Sequence, residues 1–397
     1  MNSLSNTLKT FIKNTDKILL ALCIVASGFG TLMVHSATLS SVLESKLISR
    51  DTMIMIAAIS IGLFLCLIIS VIDYEIILKV WPFFSAVCLI LMFLLFFIGV
   101  GPSNRSDAKS WIQIAGINFQ PSELLKIGFI LTFSLHINSL KNRVNEMRNV
   151  LLLGLHGIVP IALVIATGDL GSALVFAAIF IGMLFMAGLH LRYFAAGIAF
   201  SLAALPLLWI KFFSDFQKYR FLAVYYAQAL PEKDFKALIY QQQQSINAIG
   251  SGQLLGKGLF KGTFTQNNLI PVDESDMIFS VIGEELGFIG VMALLLIISL
   301  IILRIISIGH KTKNNAGRII CYGTALMIGS QAIINIGMCL KLLPCIGITL
   351  PFFSAGGSSN LCVYIGIGII LSIYRANQEI KPVNFRLSHI RTPFSEA

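Results

Sequence analysis

From Gln241 to Gly290 the chain reads QQQQSINAIGSGQLLGKGLFKGTFTQNNLIPVDESDMIFSVIGEELGFIG, a polar, glycine-rich segment running into an apolar helix, with Asp276 at the junction. An ionised carboxylate at the lip of an oily span is costly unless water or a partner is supplied, so such a residue is a functional candidate by default. At about 100° per residue, Asp276, Ser280, Gly283 and Gly287 fall on one narrow face that is small and partly polar. Glu284 and Glu285 follow roughly 12 Å or more further along the same helix. Two readings are open: three acids paired with cations on neighbouring helices, or a water-filled cavity opening at one membrane face with Asp276 at its reactive end.

Composition sets the class. The chain has 397 residues, 56% of them hydrophobic and only 12% charged, with mean hydropathy +0.84. That is too apolar for a water-soluble fold and reads as a polytopic membrane protein. Backbone polar groups in hydrocarbon must be satisfied within the segment, so runs of about 20 apolar residues are helices. The alternation of barrel strands is missing. A net charge of +10 does not imply a nucleic-acid partner, because the excess follows the positive-inside rule. The seven cysteines lie in or next to apolar spans without metal-ligand spacing and read as small hydrophobes. The first apolar run, from about Lys17 to Ala37, is longer than a signal-peptide core and reads as an anchored first helix.

The expected fold is all-α, with about ten transmembrane helices near 17–38, 52–73, 77–100, 122–139, 150–167, 171–188, 190–213, 276–304, 319–341 and 355–374. An even number puts both termini on one side. Lysines and arginines gather at one set of ends, among them Lys9, Lys13, Lys17, Lys141, Arg143, Arg148, Lys311, Lys313 and Arg318, which are assigned to the cytoplasm. The opposite short loops hold Lys46, Arg50, Arg105, Lys109 and Lys341. Residues 1–397 then form a single membrane domain, with an extracytoplasmic loop over 211–275 between the seventh and eighth helices and a cytoplasmic tail over 376–397. Within that loop, DFQKYRFLAVYYAQAL and IYQQQQSINAIG suit interfacial amphipathic helices.

Several outer segments carry polar groups. Arg105, Lys109 and Trp111 precede Pro121, which sits at a plausible first helical position, and Glu123 and Lys126 follow at i,i+3 on one face. Trp111 reads equally as an interfacial belt aromatic, and Glu123 and Lys126 as a mutual ion pair. Functionally, Arg105, Lys109 and Lys126 could hold a phosphate group. Asp169 in TGDLG is ordinary turn chemistry at the outer face. GSGQLLGKG fails as a P-loop: Gly250 and Gly256 are one residue too far apart, and Gly258 follows Lys257 where Ser or Thr is required. It reads as flexible backbone able to move over a cavity. GGSS, Gly356 to Ser359, is either an anion site at a helix N-terminus or a pair of capping serines.

WIQIAGINFQPSELLKI, GDLGSAL, YQQQQSINAIGSGQLLGKGLFKG, ESDMIFSVIGEELGFIG and NIGMCLKLLPCIGITLPFFSAGGSSN together resemble, in order, landmarks of the SEDS family (shape, elongation, division and sporulation; the RodA and FtsW proteins). The resemblance implies a bacterial peptidoglycan glycosyltransferase of the cytoplasmic membrane. It would polymerise lipid II outside that membrane, in elongation or division, with a class B penicillin-binding protein as partner. The family's essential aspartate matches Asp276. Its WI…FQPSE..K landmark matches Trp111, Gln120, Pro121, Ser122, Glu123 and Lys126; its PDLG turn matches Asp169 and its GGSS matches Gly356 to Ser359. Met277, Gly168 and Lys341 depart from the usual Phe, Pro and Gly, and the AIGSG…GKG…GT run leans toward RodA-type members.

Such a reaction needs a base for the acceptor hydroxyl and charge stabilisation for a departing diphosphate. Asp276 would supply the first, while Arg220, Lys126, Lys109 and Lys257, with Trp111, Glu123, Asp169 and Ser358 around them, would form the binding site. A divalent cation, Mg or Mn, could assist. Ligands and partners would be lipid II, undecaprenyl-linked glycan and membrane lipids, with no nucleic acid. Spacing alone fixes no second carboxylate, so the two-acid glycosidase pattern is not claimed, and an inverting single displacement fits better. The competing classes are a lipid II flippase, whose polar path must reach the cytoplasmic face, and a scaffold that recruits cell-wall enzymes.

Overall fold

The computed structural model describes residues 15–39, 48–101, 108–114, 116–211, 215–226 and 232–379. Arg105, Lys46 and the expected tail beyond 379 lie outside these residues. Helices α1 (Lys17–Ala37), α2 (Arg50–Val71), α3 (Tyr74–Lys79), α4 (Trp81–Ile98), α5 (Pro121–Leu140), α6 (Met147–Ala166), α7 (Leu170–Met186) and α8 (Leu191–Lys211) lead to α9 (Asp215–Tyr225) and α10 (Glu232–Gly252). The short α11 (Thr263–Gln266) precedes α12 (Ile278–Lys311), α13 (Asn315–Cys339) and α14 (Gly357–Glu379). The expected spans overlap these helices one to one, except that expected over 77–100, which begins in α3 and continues in α4. Among the described residues, α1, α2, α6, α12, α13 and α14 are long and apolar enough to cross a membrane, and α4, α7 and α8 contain shorter apolar stretches.

Helix starts follow capping chemistry. Asp16, Ser49, Asp73, Asp169 and Asn314 each accept a backbone N–H of the first turn of the helix that follows them. Asp16 also pairs with Arg304 at 2.7 Å, tying the start of α1 to the far end of α12. Buried α13 packs against α5, α7 and α12 and forms the centre of the bundle. The most extensive helix pair is α2 with α14. A Cβ at Gly368 would lie 2.9 Å from the Cys66 backbone, a close approach of the kind small residues permit inside membranes.

Two features depart from the sequence reading. Residues Ile112–Ile114 and Ile117–Phe119 form an antiparallel two-stranded ribbon in the loop before α5. The helix α10 does not merely lie at an interface. Its Ser245 Oγ meets Ser280 Oγ at 2.5 Å and donates to the Cys339 carbonyl at 2.7 Å, while Gln242 Nε2 donates to the carbonyls of Met338 and Leu343. The small face Ser280–Gly283 is therefore a packing seam for α10, with Ile249 against Gly283, and not a cavity wall.

α12 is broken at Gly287, whose φ of 64° and ψ of −160° suit glycine alone. The loop after α10 repairs the break. Phe288 and Ile289 donate their N–H groups to the carbonyls of Gln253 and Leu254, and Lys257 and Gly258 donate to those of Glu284 and Glu285. The two wholly buried glutamates anchor the same loop through their side chains. Glu284 accepts from Lys257 Nζ at 2.9 Å, Phe264 N at 2.8 Å and Thr265 N at 3.0 Å; Glu285 accepts from Ser36 Oγ at 2.7 Å and Phe260 N at 3.1 Å. GSGQLLGKG is thus fastened to α12 rather than free to sweep over a cavity.

Candidate active site

A cavity of about 420 Å³ opens at the end of the bundle where α5, α7, α12 and α14 begin and α6 and α13 finish. The β-ribbon brings Trp111, Asn118 and Gln120 to one wall, α9 brings Gln217 and Arg220, and the strap before α12 brings Glu274, Ser275 and Asp276. The turn after α13 and the start of α14 complete it with Gly347, Thr349 and Gly356–Ser359.

Asp276 is held by its main chain. Asn335, a wholly buried amide on α13, donates both amide hydrogens, one to the Asp276 carbonyl at 2.8 Å and one to that of Ile348 at 2.7 Å. Ser354 Oγ donates to the Ser275 carbonyl at 2.5 Å and Ala355 N to the Glu274 carbonyl at 2.9 Å. Gly347, at φ 76°, leaves room for the carboxylate, since a Cβ there would stand 3.3 Å from Asp276 Oδ2. Burial pushes the Asp276 carboxyl up to about 6; the charge of Glu274 adds to this, and the Arg220 guanidinium opposes it. Neighbouring Asp273 is buried and pushed up to about 8, by burial first and then by Glu274.

The expected site residues separate into two groups. Asp276, Trp111, Asp169, Arg220 and Ser358 all line the cavity. Asp169 and Ser358 knit its walls: Asp169 Oδ1 caps α7 at Ser172 N (2.9 Å), its Oδ2 accepts from Gln120 Nε2 (2.7 Å), and Gln120 N donates to Ser358 Oγ (3.0 Å). The structure does not bring Lys109, Glu123, Lys126 or Lys257 to the cavity. Lys126 is wholly buried and spent on Glu123 at 2.7 Å, the ion pair that their i,i+3 spacing allows. Lys257 is bound to Glu284 beside the Phe264 ring, and Lys109 Nζ donates to the Phe96 carbonyl at 3.1 Å. Among the described residues expected to meet a diphosphate, the cation that lines this space is Arg220.

Glu274, Gln217 and Asn335 escaped the sequence reading. A usable signal existed for Asn335, an amide in the middle of an apolar span. The Asn335→Ala substitution would take the amide donor from both carbonyls, leaving that of Asp276 with the weaker Cys339 Sγ at 3.7 Å, at a cost of about 1–3 kcal/mol. A melting temperature lowered by several degrees in detergent, together with slowed catalysis, is the expected result. An unchanged melting curve would remove the clamp from this account.

Among the described residues no three His, Cys, Asp or Glu side chains gather as ligands for a metal ion.

Fold and cavity together define a multi-pass α-helical membrane protein with a polar, acid-bearing cavity at an end of its bundle. The family model FtsW/RodA/SpoVE, described as cell cycle protein, matches residues 16–379. A protein described as probable peptidoglycan glycosyltransferase FtsW from Geobacter sp. (strain M18) is 31% identical over 377 residues, spanning 91% of this chain and 97% of the relative. Peptidoglycan glycosyltransferase MrdB of Escherichia coli K12 is 33% identical over 299 residues, spanning 74% and 77%. The fold is similar to RodA of Thermus thermophilus, with a TM-score of 0.66, 24% identity and coverage of 91% and 97%. It is also similar to a chain of a structure described as structural coordination of polymerization and crosslinking by a peptidoglycan synthase complex, with a TM-score of 0.74, 24% identity and coverage of 91% and 98%. The chain belongs to the FtsW/RodA/SpoVE family.

Proposed function

We propose that the protein is a peptidoglycan glycosyltransferase that polymerises lipid II-linked saccharides at the outer face of the bacterial cytoplasmic membrane, with Asp276 as general base. The observation that carries this reading is a half-buried carboxylate with raised proton affinity facing an arginine across a polar cavity. The acceptor hydroxyl gives its proton to Asp276 while its oxygen bonds to the donor anomeric carbon. The bond from that carbon to the diphosphate breaks, and the electron pair leaves with the diphosphate, whose charge Arg220 meets. The first turn of α14, Gly357–Ser359, faces the same space, and its N–H groups suit an anion. A divalent cation would be held largely by the diphosphate oxygens, and none of these steps runs through it.

Lysine and arginine placement supports cytoplasmic termini, which puts the cavity outside. The similarity to the synthase-complex chain supports a class B penicillin-binding protein as partner. Every cavity-lining residue comes from the same end of the bundle, which favours an outward-facing enzyme over a flippase. Incubating the purified protein and its partner with labelled lipid II, with and without Mg or Mn, is expected to yield glycan strands. Lipid II movement across vesicles with no polymer formed would overturn the enzymatic reading. Because the base must be ionised, the rate should fall roughly tenfold per pH unit below about pH 6 and level off above it. A pH–rate profile flat from pH 5 to 8 would contradict Asp276 as the base.

A further inference from the structure

Spacing in the sequence fixes no second carboxylate beside Asp276; the fold supplies one. Glu274 stands two residues earlier on the same strap and lines the same cavity. The carbonyls of Glu274, Ser275 and Asp276 are each bonded, to Ala355 N, Ser354 Oγ and Asn335 Nδ2, at 2.9, 2.5 and 2.8 Å. Three consecutive residues are therefore fixed to α13 and to the turn before α14, and the two side chains keep their register.

The other titratable groups around Asp276 are few. Arg220 faces it from α9, and Asp169 from the turn before α7, its carboxylate already occupied by Ser172 N and Gln120. Cys339 and Cys345 lie on α13 and the turn after it, and Asp273 sits behind Glu274 with its Oδ2 buried and unpartnered. Like charges sharing one confined space oppose each other's ionisation, whereas a guanidinium favours it.

We propose that Glu274 is a positioning residue that acts through Asp276, its negative charge keeping that carboxylate basic enough to take the acceptor's proton in the presence of Arg220. Glu274 itself need not touch substrate. The proposal rests on Asp276 being the base, and it concerns how strong a base the site maintains. Burial, Glu274 and Arg220 are the leading influences on the proton affinity of Asp276, with smaller ones from Ser275 and Asp169. Glu274, on the same fixed strap and lining the same cavity, is the one whose charge a single substitution removes without disturbing the walls built on Asp169.

The test is the pH–rate profile of lipid II polymerisation by the full-length protein with its partner. In Glu274→Gln the acid limb is expected to move down by about one pH unit, with the plateau rate lowered roughly threefold as the base weakens. Glu274→Ala should give the same downward shift, and Glu274→Asp should keep the limb where the unaltered protein has it. Because the side chain faces the cavity, these variants are expected to fold, and melting curves check this. A limb that stays in place in both Gln and Ala variants, whatever the plateau, reduces Glu274 to a structural residue and overturns the proposal. The underlying assignment is tested separately: full polymerisation by Asp276→Asn removes the base itself, whereas an inactive Asp276→Asn with an unmoved Glu274→Gln limb removes only the tuning role.

Discussion

The Asp276→Asn protein is expected to polymerise lipid II about 10²- to 10⁴-fold more slowly than the unaltered protein, the range that a positioned general base contributes. The substitution is nearly isosteric, and the contacts from Asn335 and Gly347's neighbourhood are made to its main chain or leave open space. The fold should therefore survive. A melting temperature unchanged or slightly raised is the accompanying expectation, since burial already disfavours the ionised carboxylate that asparagine replaces. Binding of lipid II should persist, because Arg220 and the walls built on Asp169 and Ser358 are untouched. Loss of activity together with loss of the folded protein would make position 276 structural, and retained activity would free it from any role as base.

The second large effect is expected at Gly287→Ala. Its φ and ψ lie where a side chain is strained by about 1–3 kcal/mol. The new Cβ would also meet Leu254 O at 2.7 Å and crowd the Gly256 N–H. Gly256 is no better able to yield, because it too has positive φ, at 77°, and lies against the Glu285 carbonyl. With both partners fixed, the combined cost should exceed about 3 kcal/mol, enough to remove most folded protein from a marginally stable chain. Monodispersity on size exclusion after detergent extraction measures it. A Gly287→Ala protein that extracts and melts like the parent would show that the loop after α10 can move aside.

Much of the architecture was legible because bilayer physics is one-dimensional: about 20 apolar residues in a row have few alternatives. Asp276 stood out for the same reason, as a charge where charge is costly. What tertiary packing decides was not legible. Lys126 and Lys257 carry charges that suit a phosphate, yet their nearest acids, Glu123 and Glu284, claim them. Ile112–Ile114 and Ile117–Phe119 are too short to announce a ribbon. The glutamines of QQQQ belong to a run read as an interfacial amphipathic helix, but Gln241 and Gln242 donate to the carbonyls of Pro271, Met338 and Leu343. At Gly287 the helical spacing of small residues, Gly283, Gly287 and Gly290, carries on past Glu284 and Glu285, so nothing in the periodicity marks the break. Glu274 was in plain view two residues from Asp276, and only the folded strap reveals that both side chains reach one space.

The break in α12 also divides its length. Unbroken, its 34 residues would measure about 51 Å, well beyond the roughly 30 Å of hydrocarbon in a bilayer. Divided at Gly287, the 24 residues of 288–311 are by themselves long enough to cross such a layer, so the stub that begins at Ile278, next to Asp276, is not needed for the crossing. The short stub is thereby released from spanning and serves instead as the rigid mount on which α10 and the loop after it are fastened beside Asp276.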